Sequence, residues 1–451
     1  MKTLKVGYLP LVKGSWLNGK QEKAAVEAIA GLQEFAEVVE LGRLIVSEDD
    51  ANEACEKFYN ENIDVLIVHH LAFPLGAITP SLARRLGVPV ILWSTPEAPY
   101  QVPAFRLEAN SFCASNMTAN HLWRMHHPYA FVYGDTQKAL AEIRSELSVF
   151  AAIKTLKGFR VGSLGNRVPG FFTSTFNEML LREKFGVEVE GITMLELCET
   201  ARKLRASGKD LSEARAAVLD RCVQGDISDE ELELAIALYA AFCQLRKKYR
   251  VDAWAVRCWP EFSDLYGIGV CHILGCLTGH ECPAACEGDV YGAVAMQLGE
   301  MLGGDKTFFA DLVIFDEKDD TGIFWHCGAA PACLAKPGAQ PCIRKHPVID
   351  GGGKKGVAVE FPLKSGHVTI CRIGENREGN LRLMTFSAEA IDTEQCIRST
   401  PLKVKFERPA RELINDIVYN GFEHHYVVCY GDIKAQLKEF ARLTGLQLIE
   451  F

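Results

Sequence analysis

Lys157-Gly-Phe-Arg-Val-Gly-Ser-Leu-Gly165 is where the chain stops one pattern and begins another. Lys157-Gly158 breaks the pattern of the preceding residues, and residues 159–165 read as a fresh first strand. A domain boundary near residue 156 follows. Upstream, strand-like runs at 4–11, 37–41, 64–70, 88–94 and 129–133 alternate with amphipathic helical stretches such as 21–35 and 48–60. That alternation predicts a parallel sheet covered on both faces. Downstream the alternation resumes, with helices at 212–223 and 229–247 and a strand at 251–257. From about residue 304 the texture changes to short strand-like runs at 308–315, 322–326, 356–363, 367–373, 381–388 and 425–430. Such runs predict an antiparallel sheet or barrel. Residues 331–353, with four prolines, read as a long loop; a helix at 433–444 and a strand at 446–451 close the chain. The predicted class is α/β: two Rossmann-like doubly wound domains, 1–156 and 157–303, then a mainly antiparallel, barrel-like domain, 304–451.

Composition agrees with several domains. The chain has 451 residues, and roughly 150 residues per domain gives about three. Apolar residues make up 48% and charged residues 24%, a globular balance. The net charge of −9 argues against a phosphate-backbone partner, which favours basic surfaces. No apolar run approaches the ~20 residues of a membrane span. Met1-Lys-Thr-Leu-Lys-Val-Gly-Tyr8 reads directly as a strand, with no signal-type apolar core before it. The expected location is the cytoplasm, and no nucleic-acid or membrane partner is expected. The sixteen cysteines then read mostly as small buried hydrophobes. The tightest group, Cys271, Cys276, Cys282 and Cys286, lacks the spacing of a usual zinc or iron–sulfur run and reads as buried thiols.

Chemistry-bearing residues gather in the second half. Glu287 and Asp289 stand in a Gly-flanked turn before a helix-like run at 290–302, Asp311 and His326 fall in strand-like runs, and His424-His425 begins another. Carboxylates and imidazoles at strand ends suit a divalent cation. Asp289 reads either as a direct participant or as a helix-start cap. Glu261 ends a strand-like run and reads either as support for the site or as a solvated loop carboxylate. Gly165-Asn-Arg-Val-Pro-Gly-Phe171 is a tight turn able to approach an anion or sugar, which singles out Arg167. In the first domain, His69-His70 ends a strand and is open between loop hydrogen bonding and ligation, while the polar run 106–117 is expected to face a cleft.

The segments Glu287-Gly-Asp-Val-Tyr-Gly-Ala293, Phe308-Phe-Ala-Asp-Leu312, Gly322-Ile-Phe-Trp-His326 and Gly421-Phe-Glu-His-His-Tyr426, in this order, resemble the L-fucose isomerase and L-arabinose isomerase superfamily of metal-dependent sugar isomerases. Pro169-Gly-Phe171, Asn110-Ser-Phe-Cys113 and Trp259-Pro-Glu-Phe262 resemble further segments of fucose isomerase-like proteins. The resemblance implies an aldose–ketose isomerase working through an enediol(ate). Glu287 and Asp311 become the acid/base pair, and Glu287, Asp311, His326 and His425 the metal ligands. His424, Asn110, Trp16, Glu261 and Arg167 become substrate contacts. It implies Mn²⁺, with Co²⁺, Fe²⁺ or Mg²⁺ as alternatives. It also implies a homotrimer or homohexamer with active sites at subunit interfaces, where Trp16, His69 or residues 110–116 would serve a neighbouring chain. Expected substrates are a deoxyhexose or pentose of the L-fucose or arabinose type, or a sulfonated hexose, sulfoquinovose, going to sulfofructose. A sulfonate needs a cationic pocket, for which Arg106, Arg167 and Arg257 are candidates. An epimerase or aldolase on the same scaffold, or a non-catalytic sugar-binding protein, are the competing readings. Two carboxylates aimed at one metal argue against the binder.

Overall fold

The computed structural model describes residues 4–74, 76–97, 107–280, 282–346 and 356–451. It divides into two compact units, Met1–Lys154 and Thr155–Phe451.

The first unit is built on five parallel strands in the order Glu37–Val39, Lys5–Leu11, Val65–His70, Val90–Ser94, Tyr129–Tyr133. Every residue of Val65–His70 and of Val90–Ser94 is buried, as expected of strands covered on both faces. One layer of its core joins Leu9, Leu66, Val68 and Leu92 of the sheet to Ala54 and Phe58 of the helix Glu48–Asn60. That helix opens with a reciprocal cap between Ser47 and Asp50, the S-x-x-D pattern legible in the sequence.

The second unit contains a four-stranded parallel sheet in the order Ala284–Cys286, Ala253–Val256, Arg160–Leu164, Glu188–Ile192. It also contains a closed ring of six antiparallel strands. Going round, these are Gly366–Glu375, His425–Tyr430, Thr307–Asp316, Thr321–His326, Thr400–Phe406 and Leu381–Ala390, and the last pairs back to the first. Gln447–Glu450 adds to Leu381–Ala390 in parallel. The model thus bears out a mixed α/β fold with parallel-sheet regions and a C-terminal antiparallel barrel.

Alternation along the strands explains the layers. Phe308, Ala310, Phe324, Ile370, Phe386, Leu402, Tyr426 and Val428 share the core cluster that the ring encloses. Phe309, Asp311, His425 and Val427 have the opposite parity, and the helix Val290–Gly303 packs against those strands. Its approach is close: a Cβ at Gly292 would collide with the Phe309 ring, and one at Gly299 with Cys429 Sγ.

Two local expectations fail. The span 331–353 is not one loop, because Cys342–Lys345 is a strand pairing with Val357–Glu360 and with Val223–Gln224. The helix expected over 212–223 stops at Val218, and Val223–Gln224 is given to that small sheet. In both places a short segment pairs with strands far along the chain.

Candidate active site

Glu287 follows directly on the parallel strand Ala284–Cys286 and adopts φ +60°, with Gly288 at φ +73° after it. This left-handed pair turns the chain sharply into the helix Val290–Gly303. Gly288 cannot be replaced cheaply, since a Cβ there would collide with Asn166 O and Arg167 Cα. The loop carrying Arg167 is therefore seated against the turn carrying Glu287.

Asp289 resolves its open reading by doing two things. Its Oδ1 accepts the Gly292 N–H at 2.7 Å, capping the helix. Its Oδ2 accepts from His425 Nδ1 at 2.8 Å and from Arg372 Nη1 at 2.6 Å. Arg372 is fully buried, and nothing in the sequence reading singled it out. Its signal was a lone guanidinium inside the apolar strand run Val368-Thr-Ile-Cys-Arg-Ile373. Removing one partner of such a buried pair costs about 3–5 kcal/mol.

His425 is fully buried and presents Nε2 to Glu287 Oε2 at 2.8 Å, with Asp311 Oδ1 3.9 Å away. Asp311 and His425 are direct cross-strand partners, so one register places both. His424 adds Nε2 at 3.5 Å from Glu287 Oε2, and its Nδ1 meets the Thr173 hydroxyl at 3.1 Å. The Phe171 ring lies 5.7 Å from that of His424. The His326 ring centroid is 6.4 Å from that of His425. Around His326 Nδ1 stand the Cys327 backbone nitrogen at 3.0 Å and Cys327 Sγ at 3.3 Å.

The electrostatics follow from this crowding. Burial alone would raise the Glu287 carboxyl, but hydrogen bonds from His424 and His425 outweigh it and hold it well below the usual range. Burial likewise opposes ionisation of Asp289, and the Arg372 charge and His425 overcome it. Asp311 has no such rescue: burial raises its carboxyl, and the nearby imidazoles offset this only in part. Burial would lower His425, yet Asp289 and Glu287 raise it.

These residues fit a divalent cation. The ligand atoms of Glu287, His424 and His425 lie within 4.8 Å of one another. Asp311 Oδ1 and His326 Nε2 are buried without a hydrogen-bond partner. Carboxylate oxygens with imidazole nitrogens, and His425 held from behind by Asp289, are the donor set and support such an ion requires.

Other predicted residues have partners of their own. Glu261 forms a two-pronged ion pair with Arg257, its Oε2 accepting from Nε at 2.9 Å, so each is engaged by the other. Arg167 is half-buried, its guanidinium 4.6 Å from the centre of the Phe172 ring. Arg106 lies outside the described residues. Trp16 and Asn110 belong to the first unit; both are half-buried, and the Asn110 side chain makes no cap although it precedes the helix Ser111–Arg124. His69 is buried there, stacked on Trp93, with Tyr8 and Thr95 hydroxyls on its two ring nitrogens.

Residues 15–160 match a family model described as fucose/sulfoquinovose isomerase, N-terminal domain, and residues 324–451 one described as L-fucose isomerase, C-terminal domain. A sulfoquinovose isomerase of Alkalicoccus urumqiensis is 30% identical over 397 residues, 86% of this chain and 86% of its own. Another, of Priestia megaterium, is 29% identical over 412 residues, covering 90% and 89%. A third, of a Clostridium species, is 28% identical over 389 residues, covering 85% of each.

Proposed function

The chain belongs to the fucose and sulfoquinovose isomerase family and is an aldose–ketose isomerase; we propose that its reaction is divalent-cation-dependent and that its substrate is sulfoquinovose, converted to sulfofructose. The observation that carries this reading is the convergence of Glu287, Asp311 and His425 beside the loop of Arg167.

Glu287, Asp311, His326 and His425 would hold the cation, Mn²⁺ by preference and Co²⁺, Fe²⁺ or Mg²⁺ as alternatives. When bound, it supplies charge that polarises the carbonyl and steadies an enediolate. The protein's own groups do the rest. The reaction moves a proton between adjacent carbons, so one carboxylate must take it and return it. Asp311 and Glu287, both facing His425 Nε2, are the carboxylate pair placed to carry that proton. Glu287, held ionised, keeps negative charge at the site. His424, half-exposed beside Phe171, is placed to meet a sugar hydroxyl. Arg167 is assigned the sulfonate, which a guanidinium binds through a forked pair of hydrogen bonds. With Arg257 paired to Glu261, it is the cationic candidate that the geometry favours.

The second unit is treated as two domains, 157–303 and 304–451. The oligomer is a trimer or hexamer in which Trp16 and Asn110 serve a neighbour's site. The compartment is the cytoplasm, in keeping with sixteen free cysteines and with no described helix long and apolar enough to cross a membrane.

Proton NMR in D2O with Mn²⁺ and a sugar panel tests the reaction. Deuterium entering next to the carbonyl, with sulfoquinovose and sulfofructose interconverting, is the expected result. Conversion of L-fucose or an arabinose instead would reassign the substrate. Exchange without any ketose would favour an epimerase and overturn the proposal.

A further inference from the structure

We propose that Cys271, Cys286, Cys327 and His346 form a structural zinc site, distinct from the carboxylate centre. The proposal does not depend on the reaction assigned above.

The geometry is convergent. Cys271 Sγ lies 3.4 Å from Cys327 Sγ and 3.2 Å from His346 Nε2. The ligand atoms of these three residues lie within 4.8 Å of one another. Cys286 stands outside that trio but neighbours Cys271 and Cys327, so it is the thiol next in line for a fourth position. Zinc bonds of about 2.3 Å to sulfur and about 2.0 Å to nitrogen place tetrahedral ligand atoms about 3.8 Å and about 3.5 Å apart. The two separations in this protein fall within about 0.4 Å of those values.

The donors come from four separate elements. Cys271 opens the helix Cys271–Gly279, and Cys286 ends the parallel strand Ala284–Cys286. Cys327 follows the barrel strand Thr321–His326, and His346 follows the strand Cys342–Lys345 of the small sheet. An ion there would fasten the parallel sheet, the barrel and the small sheet together. All four residues are buried, Cys327 the most exposed at 8%. No substrate reaches such a place, so the role is structural. Three thiols and an imidazole satisfy one another poorly, because S–H is a weak donor and sulfur a weak acceptor. One thiophilic cation satisfies all four together. The two kinds of donor, thiolate sulfur with imidazole nitrogen, select zinc over the oxygen-loving ions suited to the neighbouring centre.

The experiment uses the full chain, with Co²⁺ as the spectroscopic probe. Protein grown with zinc should keep about one zinc per chain through gel filtration. Cobalt-loaded protein should show an intense thiolate-to-cobalt charge-transfer band and the visible bands of tetrahedral cobalt. Both should vanish in Cys271→Ser and Cys327→Ala, and persist in Glu287→Gln and Asp311→Asn, which strip the carboxylate centre. If the cysteine variants do not fold, the wild-type cobalt spectrum decides alone. Its absence overturns the proposal. So does a Cys271–Cys327 disulfide, seen as a two-hydrogen deficit in the denatured, metal-free mass and located by peptide mapping, or bound iron with labile sulfide.

Discussion

Cys286 and Glu287 are chain neighbours, as are His326 and Cys327, yet each pair is divided between two clusters of opposite character. Glu287 and His326 face the carboxylate cluster, where oxygen donors predominate and the half-exposed His424 leaves a way in from solvent. Cys286 and Cys327 face the thiol cluster, which is closed on every side. The difference shows how one short turn and one strand end supply two clusters, oxygen-rich on one side and sulfur-rich on the other. The clusters also meet at His326 Nδ1. That nitrogen accepts the Cys327 N–H at 3.0 Å and has Cys327 Sγ at 3.3 Å, so one residue of the thiol cluster holds an imidazole of the other in place.

The comparison breaks most visibly at Glu287. Glu287→Gln should lower kcat about 10³-fold, the scale of lost acid–base catalysis, while the thiolate-to-cobalt band stays unchanged. Turnover near wild type would remove the carboxylate cluster from the chemistry. Asp289→Asn comes next. It keeps an oxygen to cap the helix but leaves Arg372 with only Glu423, 3.7 Å away, as an anion and His425 without its buttress. Mn²⁺ affinity, followed by electron paramagnetic resonance, should fall about 10–100-fold. An unchanged affinity would make Asp289 a cap and nothing more. The smallest effect sharpens the open side alone: Arg167→Met should raise KM for sulfoquinovose about tenfold with kcat nearly constant, as loss of a charged hydrogen bond implies. Equal losses with an uncharged sugar would point to loop damage instead.

Legibility in the sequence divides along similar lines. The alternating half was readable because strands such as Val65–His70 are continuous apolar runs between amphipathic helices. Asp311 and His425 were readable as a pair of strand positions, and their register makes them partners. Asp289 was half-read, since its second task depends on His425, 136 positions away. The strand Cys342–Lys345 was hidden, being four residues between prolines with its pairing partners elsewhere. The thiol cluster was invisible for a related reason. Its residues come from four elements, and the tight cysteine run misleads: Cys276 turns to His272, and Cys282 to the Asp252 carbonyl. Spacing rules find sites built within one loop, not sites assembled by the fold.

The closed ring of six strands has a consequence for how this protein can change. An open sheet can slide an outer strand by two residues and lose little. In a closed ring, a slide between any two neighbours must be matched all the way round. Asp311 therefore cannot drift past His425 in small steps, and the carboxylate–imidazole cluster is inherited whole or not at all. The loop that carries Arg167 lies outside the ring, after the parallel strand Arg160–Leu164, and its side chains are under no such constraint. New sugars can be tried there one substitution at a time, with the proton-moving groups left where they are.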